Sequence, residues 1–549
     1  MRRLCIACVL AGLMVWSQST EPGAQVAPVS EADRAGCEAL LQIPNPTLTY
    51  AGTANTNDGT SYCYVKGILP PAIQFHAQLP LPGAWNGRFI KWGDGGKDGD
   101  LDFADHRVAQ GYAVANSNTG HDSEAEPGSS FAYQNRQAEI DFGYRAVHLT
   151  TAAAKTLVGR YYGRAPEYAY FEGCSTGGRQ GLMEAQRYPD DFDGIVAGAP
   201  AHHYQVINAV RVWLLQRMFR DDFDGALAFD TDGDGRFDSL RKMERLADAV
   251  LSACDRNDGV TDGVIDDPPS CDFDAERDLV AMRCEGDTNA DECFTTAQIQ
   301  TVRDFHAGPR DSAGRPIYSG KPMGSEAQWA GLFIPHPGNR FAPGAVGLGG
   351  DHLNYLFYDE DPGVAPANML DTSSPVDPTA TPPEWAWWNF DINDVTAGKG
   401  DVMASITDAT DPDLSRFLVD NDGKLLLYHG WADGLVVPQP TLAYYQDMVH
   451  TTFGGDMSAA RARARLFMVP GMGHCGGGNG PDTWDRLQPL VDWVEHGQAP
   501  DALIATHLTN GEVDNERPIC AVPQRAVYTG PAGGADDPAN WVQSNFTCR

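Results

Sequence analysis

One segment, YAYFEGCSTGGRQGLMEAQRYP at residues 168–189, constrains the fold of this chain more than any other. Its aromatic beginning, residues 168–171, is typical of a short buried strand. Residues 173–177 satisfy the pattern G-x-S-x-G, which places a serine on a sharp turn between a strand and a helix. The following residues predict a helix that ends before Pro189. The segment favours an α/β fold, but a plain glycine turn fits the pattern too, because the chain contains 59 glycines.

Two later segments repeat the arrangement of a buried strand followed by a loop with a polar residue. A predicted strand over 424–428 precedes Asp433, and another over 465–469 precedes His474. Parallel strands present such loops at one edge of an α/β sheet. With Ser175, the order Ser…Asp…His is that of α/β-hydrolases, in which an imidazole takes the serine proton and a carboxylate orients the imidazole. Taken singly, Asp433 also fits a turn former and His474 a solvated loop residue.

The N-terminus has the features of an export signal. Two arginines precede an apolar run over residues 4–16, and small and polar residues follow it. Residues 1–24 are therefore predicted to be a signal peptide, and the protein is expected to be secreted or periplasmic. The formal net charge of −34 argues against nucleic acid or an anionic membrane as a partner. No pattern indicates the oligomeric state.

Ten cysteines follow the predicted signal peptide, and an even number in an exported chain implies up to five disulfides. If Cys174 and Cys475 are bonded to each other, their Cα atoms lie roughly 4.4–6.8 Å apart. Ser175 and His474, each one residue away, are then held near each other. Proximity in sequence suggests the other four pairs, namely Cys37–Cys63, Cys254–Cys271, Cys284–Cys293 and Cys520–Cys548.

The motifs GCSTGG, LYHGWAD and GMGHCGGG resemble those of the tannase and feruloyl esterase family. The resemblance also covers WNGRFIKWGDGG, EIDFGYRAVHLTTAAAKTLVGRYYG and RPICAVPQRAVYTG, and hence most of the chain. It implies a disulfide between the cysteine beside the serine and the cysteine beside the histidine. It also implies an α/β-hydrolase domain over 25–200 and 400–549, with a large inserted lid domain over 201–399.

The resemblance assigns roles in ester hydrolysis to the three polar residues. Ser175 is the expected nucleophile, His474 the base and then the acid, and Asp433 the residue that orients the imidazole. The expected oxyanion hole combines the backbone N–H of Thr176 with that of Gly95 or Gly96, in the glycine-rich loop after an early strand. A glycine turn without a catalytic role is the alternative for that loop.

The expected substrate is a small ester of an aromatic acid, such as a feruloyl or galloyl ester. The alternative is an aromatic diacid monoester, because secreted hydrolases of mono(2-hydroxyethyl) terephthalate resemble this family too. Two other classes of function are alternatives. A serine protease uses the same three catalytic residues, whereas a binding module without activity would require that one of them be missing.

Two arginines of the insertion, Arg315 and Arg340, carry positive charge that a substrate carboxylate would bind, although no motif assigns this role to either. Four lid tryptophans are candidates to stack on the acyl group or to pack in the lid core: Trp329, Trp385, Trp387 and Trp388.

Two aspartate-rich segments of the insertion predict calcium, and no organic cofactor is expected. CDRNDGVTDGVIDDPPSC, residues 254–271, supplies hard oxygen ligands on a tight backbone. FDTDGDGRFDSLRK places four aspartates at EF-hand positions, but Arg241 stands where the bidentate glutamate belongs, so an acidic surface turn is the alternative. By resemblance, the first site uses the side chains of Asp255, Asp258 and Asp262 and the carbonyls of Val260 and Val264. The aspartates of the second segment are Asp230, Asp232, Asp234 and Asp238.

Overall fold

The computed structural model describes residues 29–219, 223–233, 237–334, 344–360 and 389–549. The predicted signal peptide lies outside the described residues. So do Asp234, Arg340 and three of the four tryptophans proposed to contact the acyl group, Trp385, Trp387 and Trp388.

A nine-stranded sheet forms the centre of the molecule, with the strand order β1-β2-β3-β5-β4-β6-β7-β8-β9. The pairs from β1 to β3 and the β3–β5 pair are antiparallel, whereas all pairs from β5 to β9 are parallel. Two small two-stranded sheets follow near the C-terminus. The strands are β1 Thr47–Asn55, β2 Ser61–Leu69, β3 Ile73–Pro80, β4 Arg88–Trp92, β5 Ala113–Ser117, β6 Tyr168–Cys174, β7 Gly194–Gly198, β8 Lys424–Gly430, β9 Ala464–Val469, β10 Ala502–Thr509, β11 Glu512–Cys520, β12 Ala526–Tyr528 and β13 Phe546–Cys548.

Helices cover both faces of the parallel half of the sheet. Fifteen α-helices are formed by the described residues: α1 Glu31–Glu38, α2 Asp105–Ala109, α3 Arg136–Ile140, α4 Ala146–Tyr162, α5 Thr176–Arg187, α6 Tyr204–Phe219, α7 Arg241–Cys254, α8 Ala275–Asp278, α9 Thr296–Ala307, α10 Asp351–Tyr355, α11 Asn393–Thr396, α12 Asp401–Thr407, α13 Gln439–Phe453, α14 Met457–Arg461 and α15 Gln488–His496.

The hydrophobic core around the central sheet has two parts, one on each face, and successive residues of a strand pack into different parts. In β6, Phe171 packs in the cluster that contains residues of α4, α5 and α13. Its neighbour Tyr170 packs in a second cluster with residues of α15 and the β10–β11 hairpin. Because successive strand residues point to opposite faces, strands covered on both sides are mostly apolar, and all seven residues of β8 are buried. The predicted α/β class is thereby confirmed, as are the strands expected at 168–171, 424–428 and 465–469.

The residues between β7 and β8 add no strand to the sheet in the parts that the structure describes. They form an apolar cluster of their own, which reaches from Ala209 on α6 to Ile392. This lid segment covers the residues for which a lid is predicted, 201–399, and its role as a lid stays a prediction. None of the helices in the described part of the chain is long and apolar enough to cross a membrane.

All five predicted disulfides are present. Four of them join cysteines within 9 to 28 residues of each other, whereas Cys174–Cys475 spans 301 residues. That long connection ties the end of β6 to the loop after β9.

Candidate active site

Ser175 occupies a strained turn between β6 and α5. Its backbone has φ 65° and ψ −120°, a conformation that non-glycine residues rarely adopt and that functional sites retain. The flanking glycines permit this turn, because a Cβ at Gly177 would lie 2.9 Å from the Asp94 carbonyl oxygen. The Ser175 N–H donates to the Gly198 carbonyl oxygen at 3.0 Å, which ties the turn to the end of β7. The serine therefore lies at the carboxyl edge of the sheet, as the sequence pattern predicts.

The disulfide Cys174–Cys475 brings the loop of His474 to this turn. The Cα atoms of the two cysteines lie 6.0 Å apart. Because consecutive Cα atoms are separated by about 3.8 Å, the Cα atoms of Ser175 and His474 lie within roughly 14 Å of each other. Ser175 and His474, which are distant in sequence, thus lie near each other in the structure.

Asp433 and His474 form a hydrogen-bonded pair. Nδ1 of His474 lies 2.7 Å from Oδ2 of Asp433. The other carboxylate oxygen accepts the backbone N–H groups of Leu435 and Val436, both at 2.8 Å. Asp433 is completely buried, whereas 18% of the His474 side chain is exposed. With Nδ1–H donated to the carboxylate, Nε2 of His474 remains available to take a proton.

A second histidine, His429 at the end of β8, supports the carboxylate, and sequence reasoning missed it. Its Nε2 lies 2.8 Å from the Val436 carbonyl oxygen and 3.2 Å from Oδ2 of Asp433. A carbonyl only accepts hydrogen bonds, so Nε2 carries the proton and Nδ1 accepts the Thr441 hydroxyl, 2.8 Å away. The position of His429 four residues before Asp433, in LYHGWAD, was the available signal.

The electrostatic environment keeps the Asp433 carboxylate charged. Burial by itself raises the pKa of Asp433, but the charge of His474 and the hydrogen bonds from His429 and His474 outweigh it. The result is a pKa well below the usual range of an aspartate. Such a group stabilises the imidazolium that forms when His474 takes a proton.

The glycine-rich loop after β4 packs directly on the serine turn. A Cβ at Gly93 would lie 2.9 Å from the Phe171 ring and 3.0 Å from the Cα of Gly173. The Thr176 hydroxyl donates to the Gly96 carbonyl oxygen at 2.7 Å. The loop thus lies beside the first residue of α5, where the predicted oxyanion donors Thr176, Gly95 and Gly96 are expected to meet. Their role stays a prediction.

Gln180 joins the two halves of this corner, and no local sequence signal indicated it. Its side-chain oxygen accepts the Asp94 N–H at 3.1 Å, and its amide nitrogen donates to Asp98 Oδ2 at 3.0 Å. Asp94 and Gln180 are 86 positions apart. Gln180 lies one turn after Ser175 on α5, so it clamps the glycine-rich loop to the helix that begins at the serine. Because the Asp94 N–H is used here, Gly95 and Gly96 remain as the candidate donors of that loop.

Two buried basic side chains of the lid segment, those of Arg211 and Lys321, interact with the Asp433 loop. An Arg211 guanidinium nitrogen donates to the Leu435 carbonyl oxygen at 3.2 Å, next to the Asp433 loop. Burial lowers the pKa of Lys321 to about 7, and the charge of Asp433 acts in the opposite direction. Arg315, a candidate from the sequence, differs: 76% of its side chain is exposed. Arg211 therefore brings a positive charge next to the Asp433 loop, and Lys321 is a buried amine that interacts with Asp433 through space.

Trp329 lies in the core of the lid segment. Its side chain is completely buried, its Nε1–H donates to the Ser325 hydroxyl at 3.1 Å, and its ring centroid lies 4.7 Å from that of Phe305. A Cβ at Gly434 would lie 3.3 Å from the ring, so the lid core touches the Asp433 loop. Packing is the role that the structure shows for Trp329. The predicted contact with the acyl group stays a prediction.

The first predicted calcium loop is closed by the disulfide Cys254–Cys271. Within it, Asp255 accepts the backbone N–H of Gly263 at 3.2 Å, and Asp258 and Asp262 face Arg517 of β11. Arg517 also pairs with Asp266 at 2.8 Å. Three largely buried carboxylates, those of Asp258, Asp262 and Asp266, thus surround one guanidinium. Burial raises the pKa of Asp258 to about 8 and that of Asp262 to about 6. The donor set has the hard oxygen atoms and the excess negative charge that calcium requires.

In the second acidic loop, the described carboxylates cap backbone turns. Asp230 accepts the Gly233 N–H at 2.8 Å, and Asp238 accepts the Thr231 N–H at 2.8 Å. Asp234, which holds the central position of the pattern, lies outside the described residues. A second calcium stays a prediction.

Comparison with known proteins agrees with this geometry. The family model described as "Tannase and feruloyl esterase" matches residues 59–543. The chain is 32% identical to a mono(2-hydroxyethyl) terephthalate hydrolase of Piscinibacter sakaiensis, over 94% of this chain and 92% of that protein. It is 30% identical to feruloyl esterase B of Aspergillus niger, over 89% and 88% of the two chains.

Solved structures share the fold. Feruloyl esterase B from Aspergillus oryzae superposes with a TM-score of 0.74 at 24% identity, covering 94% of this chain and all of that one. Tannin acyl hydrolase from Aspergillus niger gives a TM-score of 0.71 at 21% identity, with 94% of each chain covered.

Proposed function

This chain belongs to the tannase and feruloyl esterase family, and we propose that it hydrolyses esters of aromatic acids, such as feruloyl or galloyl esters, through an acyl-enzyme. It is a carboxylic ester hydrolase, as its relatives are. The observation that carries the proposed mechanism is the disulfide Cys174–Cys475, which joins the strained turn of Ser175 to the loop of the His474–Asp433 pair.

In the proposed reaction, Ser175 Oγ attacks the ester carbonyl carbon while Nε2 of His474 takes the hydroxyl proton. The negative charge on the carbonyl oxygen is stabilised by backbone N–H groups, from Thr176 and from Gly95 or Gly96. The C–O bond to the alcohol then breaks, and His474 returns the proton to the leaving oxygen. A water molecule, deprotonated by His474, attacks the carbonyl carbon of the acyl-enzyme. The bond from that carbon to Ser175 Oγ then breaks, His474 returns the proton to Oγ, and the acid is released.

A second candidate substrate is an aromatic diacid monoester, the class that includes mono(2-hydroxyethyl) terephthalate. Two observations favour it. Arg211 brings a buried guanidinium to the Asp433 loop, and the buried amine of Lys321 interacts with Asp433; a free carboxylate on the acyl ring would bind the guanidinium and would favour the protonated form of Lys321. A relative over nearly the whole chain also bears the name of such a hydrolase.

The experiment compares hydrolysis of methyl ferulate, methyl gallate, monomethyl terephthalate and dimethyl terephthalate. The last two share a ring and differ in one free carboxylate. Preference for ferulate or gallate supports the main proposal, whereas monomethyl over dimethyl terephthalate supports the second. Ser175→Ala provides the background rate, and turnover by that variant would exclude Ser175 as the nucleophile.

The Lys321→Met variant separates the two proposals further. If Lys321 binds a substrate carboxylate, KM for monomethyl terephthalate rises roughly tenfold or more, while KM for the dimethyl ester stays unchanged. Equal changes for both esters would mean that Lys321 has no part in recognising the carboxylate.

We also propose that the protein acts outside the cytoplasm. Five disulfides form in an oxidising compartment and are rare where thiols are kept reduced. Fractionation of producing cells, followed by an assay for ester hydrolysis in each fraction, tests this. Activity confined to the cytoplasm would contradict it.

Finally, we propose that the loop over 254–271 binds a structural calcium ion through Asp255, Asp258 and Asp262 and the carbonyls of Val260 and Val264. Arg517 neutralises only one of the clustered charges. Chelation is expected to lower the melting temperature by about 2 °C or more, because a ligand that binds only the folded state stabilises it. In Asp258→Asn the chelator is expected to have a smaller effect. An equal shift in both proteins would place the ion elsewhere.

A further inference from the structure

Three potential metal ligands meet at the end of α5 that is remote from Ser175. His148 lies in the first turn of α4, Glu184 near the end of α5, and Asp191 in the turn that leads to β7. Each offers one ligand atom, and these atoms lie within 4.8 Å of one another. Glu184 lies eight residues after Thr176, so the helix separates the two by about 12 Å. The group has no part in the reaction described above.

Glu184 is the unusual member of this group. Glu184 is 1% exposed, and neither of its carboxylate oxygens accepts an N–H group or a hydroxyl group of the described residues. Its neighbour at this place is the carboxylate of Asp191, which further raises the pKa of Glu184. A buried carboxylate without partners is strongly unfavourable. It requires either a proton or a cation next to it.

The charged neighbours do not remove this requirement. The ammonium group of Lys155 donates to the backbone carbonyl of Asp191 and not to a Glu184 oxygen. The charge of Lys155 acts through space on Asp191, Asp193 and Glu184 together, so it is shared among three carboxylates. Lys91 acts on Glu184 through space, but it donates its hydrogen bond to the Trp92 carbonyl at 2.7 Å.

The geometry of His148 and Asp191 suits an ion that enters from the solvent side. Nδ1 of His148 and Oδ2 of Asp191 are hydrogen-bonded to each other at 2.6 Å, and the two side chains are 33% and 17% exposed. An ion that binds both atoms would replace this hydrogen bond. The imidazole stacks on the Tyr188 ring with centroids 3.9 Å apart, which orients it toward the group. Ligand atoms around a tetrahedral zinc ion lie roughly 3.4 Å apart, so small rotations of these side chains bring them to that spacing.

We propose that His148, Glu184 and Asp191 bind a divalent transition-metal ion of the zinc type. One imidazole nitrogen with two carboxylate oxygens is a donor set for zinc or cobalt, whereas calcium and magnesium prefer oxygen ligands alone. The ion gives the Glu184 carboxylate its missing partner. It also braces the turn between α5 and β7, behind the helix that begins at the catalytic serine.

The test is a titration of the purified protein with Co²⁺, followed by its visible absorption, in excess Ca²⁺ so that the calcium loop is filled. The wild type is expected to bind one equivalent and to show a rise in melting temperature. Glu184→Gln is expected to lose this equivalent, or to bind it roughly tenfold or more weakly. His148→Gln, at a partly exposed position, repeats the test if Glu184→Gln does not fold.

The matched control is His507→Gln. His507 and Asp514 form a similar pair on the β10–β11 hairpin, with Nδ1 and Oδ1 2.6 Å apart, and 23% and 44% of their side chains are exposed. That pair lies outside the proposed site, so the variant is expected to bind Co²⁺ as the wild type does.

Two results would overturn the proposal. In the first, Glu184→Gln and His148→Gln bind as much Co²⁺ as the wild type. In the second, the wild type binds none, and Glu184→Gln is as stable as the wild type or more stable. The second result would mean that Glu184 and Asp191 share a proton, which the glutamine amide replaces.

Discussion

Asp433 and Glu184 are both buried carboxylates beside the central sheet, and they differ in every partner. Asp433 accepts two backbone N–H groups and lies within 3.2 Å of an imidazole nitrogen of each of two histidines. Glu184 accepts no N–H or hydroxyl group of the described residues. Burial raises the pKa of Glu184 well above its usual range, with Asp191 adding to the rise, whereas the histidines hold the pKa of Asp433 well below.

Burial alone does not decide whether a carboxyl group is charged or protonated. A carboxylate with several donors stays charged in the interior and can stabilise an imidazolium. One without donors needs a proton or a metal ion. The Asp433 site and the Glu184 site therefore have different roles, although both are built around a buried carboxyl group.

The largest expected effect comes from replacing each carboxylate by its amide. Asp433→Asn is expected to lower kcat about 10⁴-fold, because the amide favours the wrong tautomer of His474. Glu184→Gln is the matched change and is expected to leave kcat within about twofold, since Glu184 lies outside the catalytic machinery. Steady-state kinetics on one aromatic ester measures both. Equal decreases in kcat for Asp433→Asn and Glu184→Gln would contradict the conclusion that only Asp433 belongs to the catalytic site.

The second prediction concerns the disulfide that places the acid–base pair beside Ser175. Replacing Cys174 and Cys475 together by alanine is expected to lower kcat roughly 100-fold, because a small displacement of the base has such a cost. The control is the double alanine variant of Cys284 and Cys293, a disulfide of the lid segment with a separation of nine residues. Full activity without Cys174 and Cys475 would mean that packing alone positions His474.

The third prediction tests the clamp between α5 and the oxyanion loop. Gln180→Leu is expected to lower kcat roughly tenfold with little change in KM, because the loop then no longer holds donors for the transition state. Gln186→Leu is the control on the same helix, where the amide donates to the Tyr444 hydroxyl at 3.0 Å. A larger change in KM than in kcat for Gln180→Leu would assign Gln180 to substrate binding instead.

The smallest effect is a dependence of stability on pH. The folded pKa of Asp433 is lowered, so the group contributes stability above the unfolded pKa of about 3.9 and loses it as the pH falls through the folded pKa. The free energy of unfolding is expected to drop between pH 5 and 3 by about 1 kcal/mol more in the wild type than in Asp433→Asn. Urea unfolding at several pH values measures the difference. Parallel pH profiles would contradict the charged state of Asp433.

Much of the candidate site followed from local patterns. The strands before Asp433 and His474 and the turn of Ser175 were predicted because apolar runs and glycine spacing report the backbone directly. All five disulfides were predicted as well. His429, Gln180 and Arg211 were not, because their roles depend on partners such as Val436, Asp94 and Leu435 that the pattern of one segment does not reveal.

Trp329 marks the limit of such predictions. A tryptophan in an inserted segment fits both a substrate contact and a core position, and its full burial and its hydrogen bond to Ser325 place it in the core. The direction of a side chain depends on packing against distant elements, which a single sequence does not display.

The sequence by itself determined the α/β class and the order of the proposed catalytic residues, because the periodicity of strands and helices is a local property. It also predicted four disulfides from proximity in sequence, whereas Cys174–Cys475, 301 residues apart, followed from the family resemblance. Only the tertiary structure decided which buried charges have partners. Nothing in the local sequence distinguishes Asp433 from Glu184. In the described part of the chain, long-range packing places hydrogen-bond donors around Asp433 but none around Glu184, which therefore requires a proton or a metal ion.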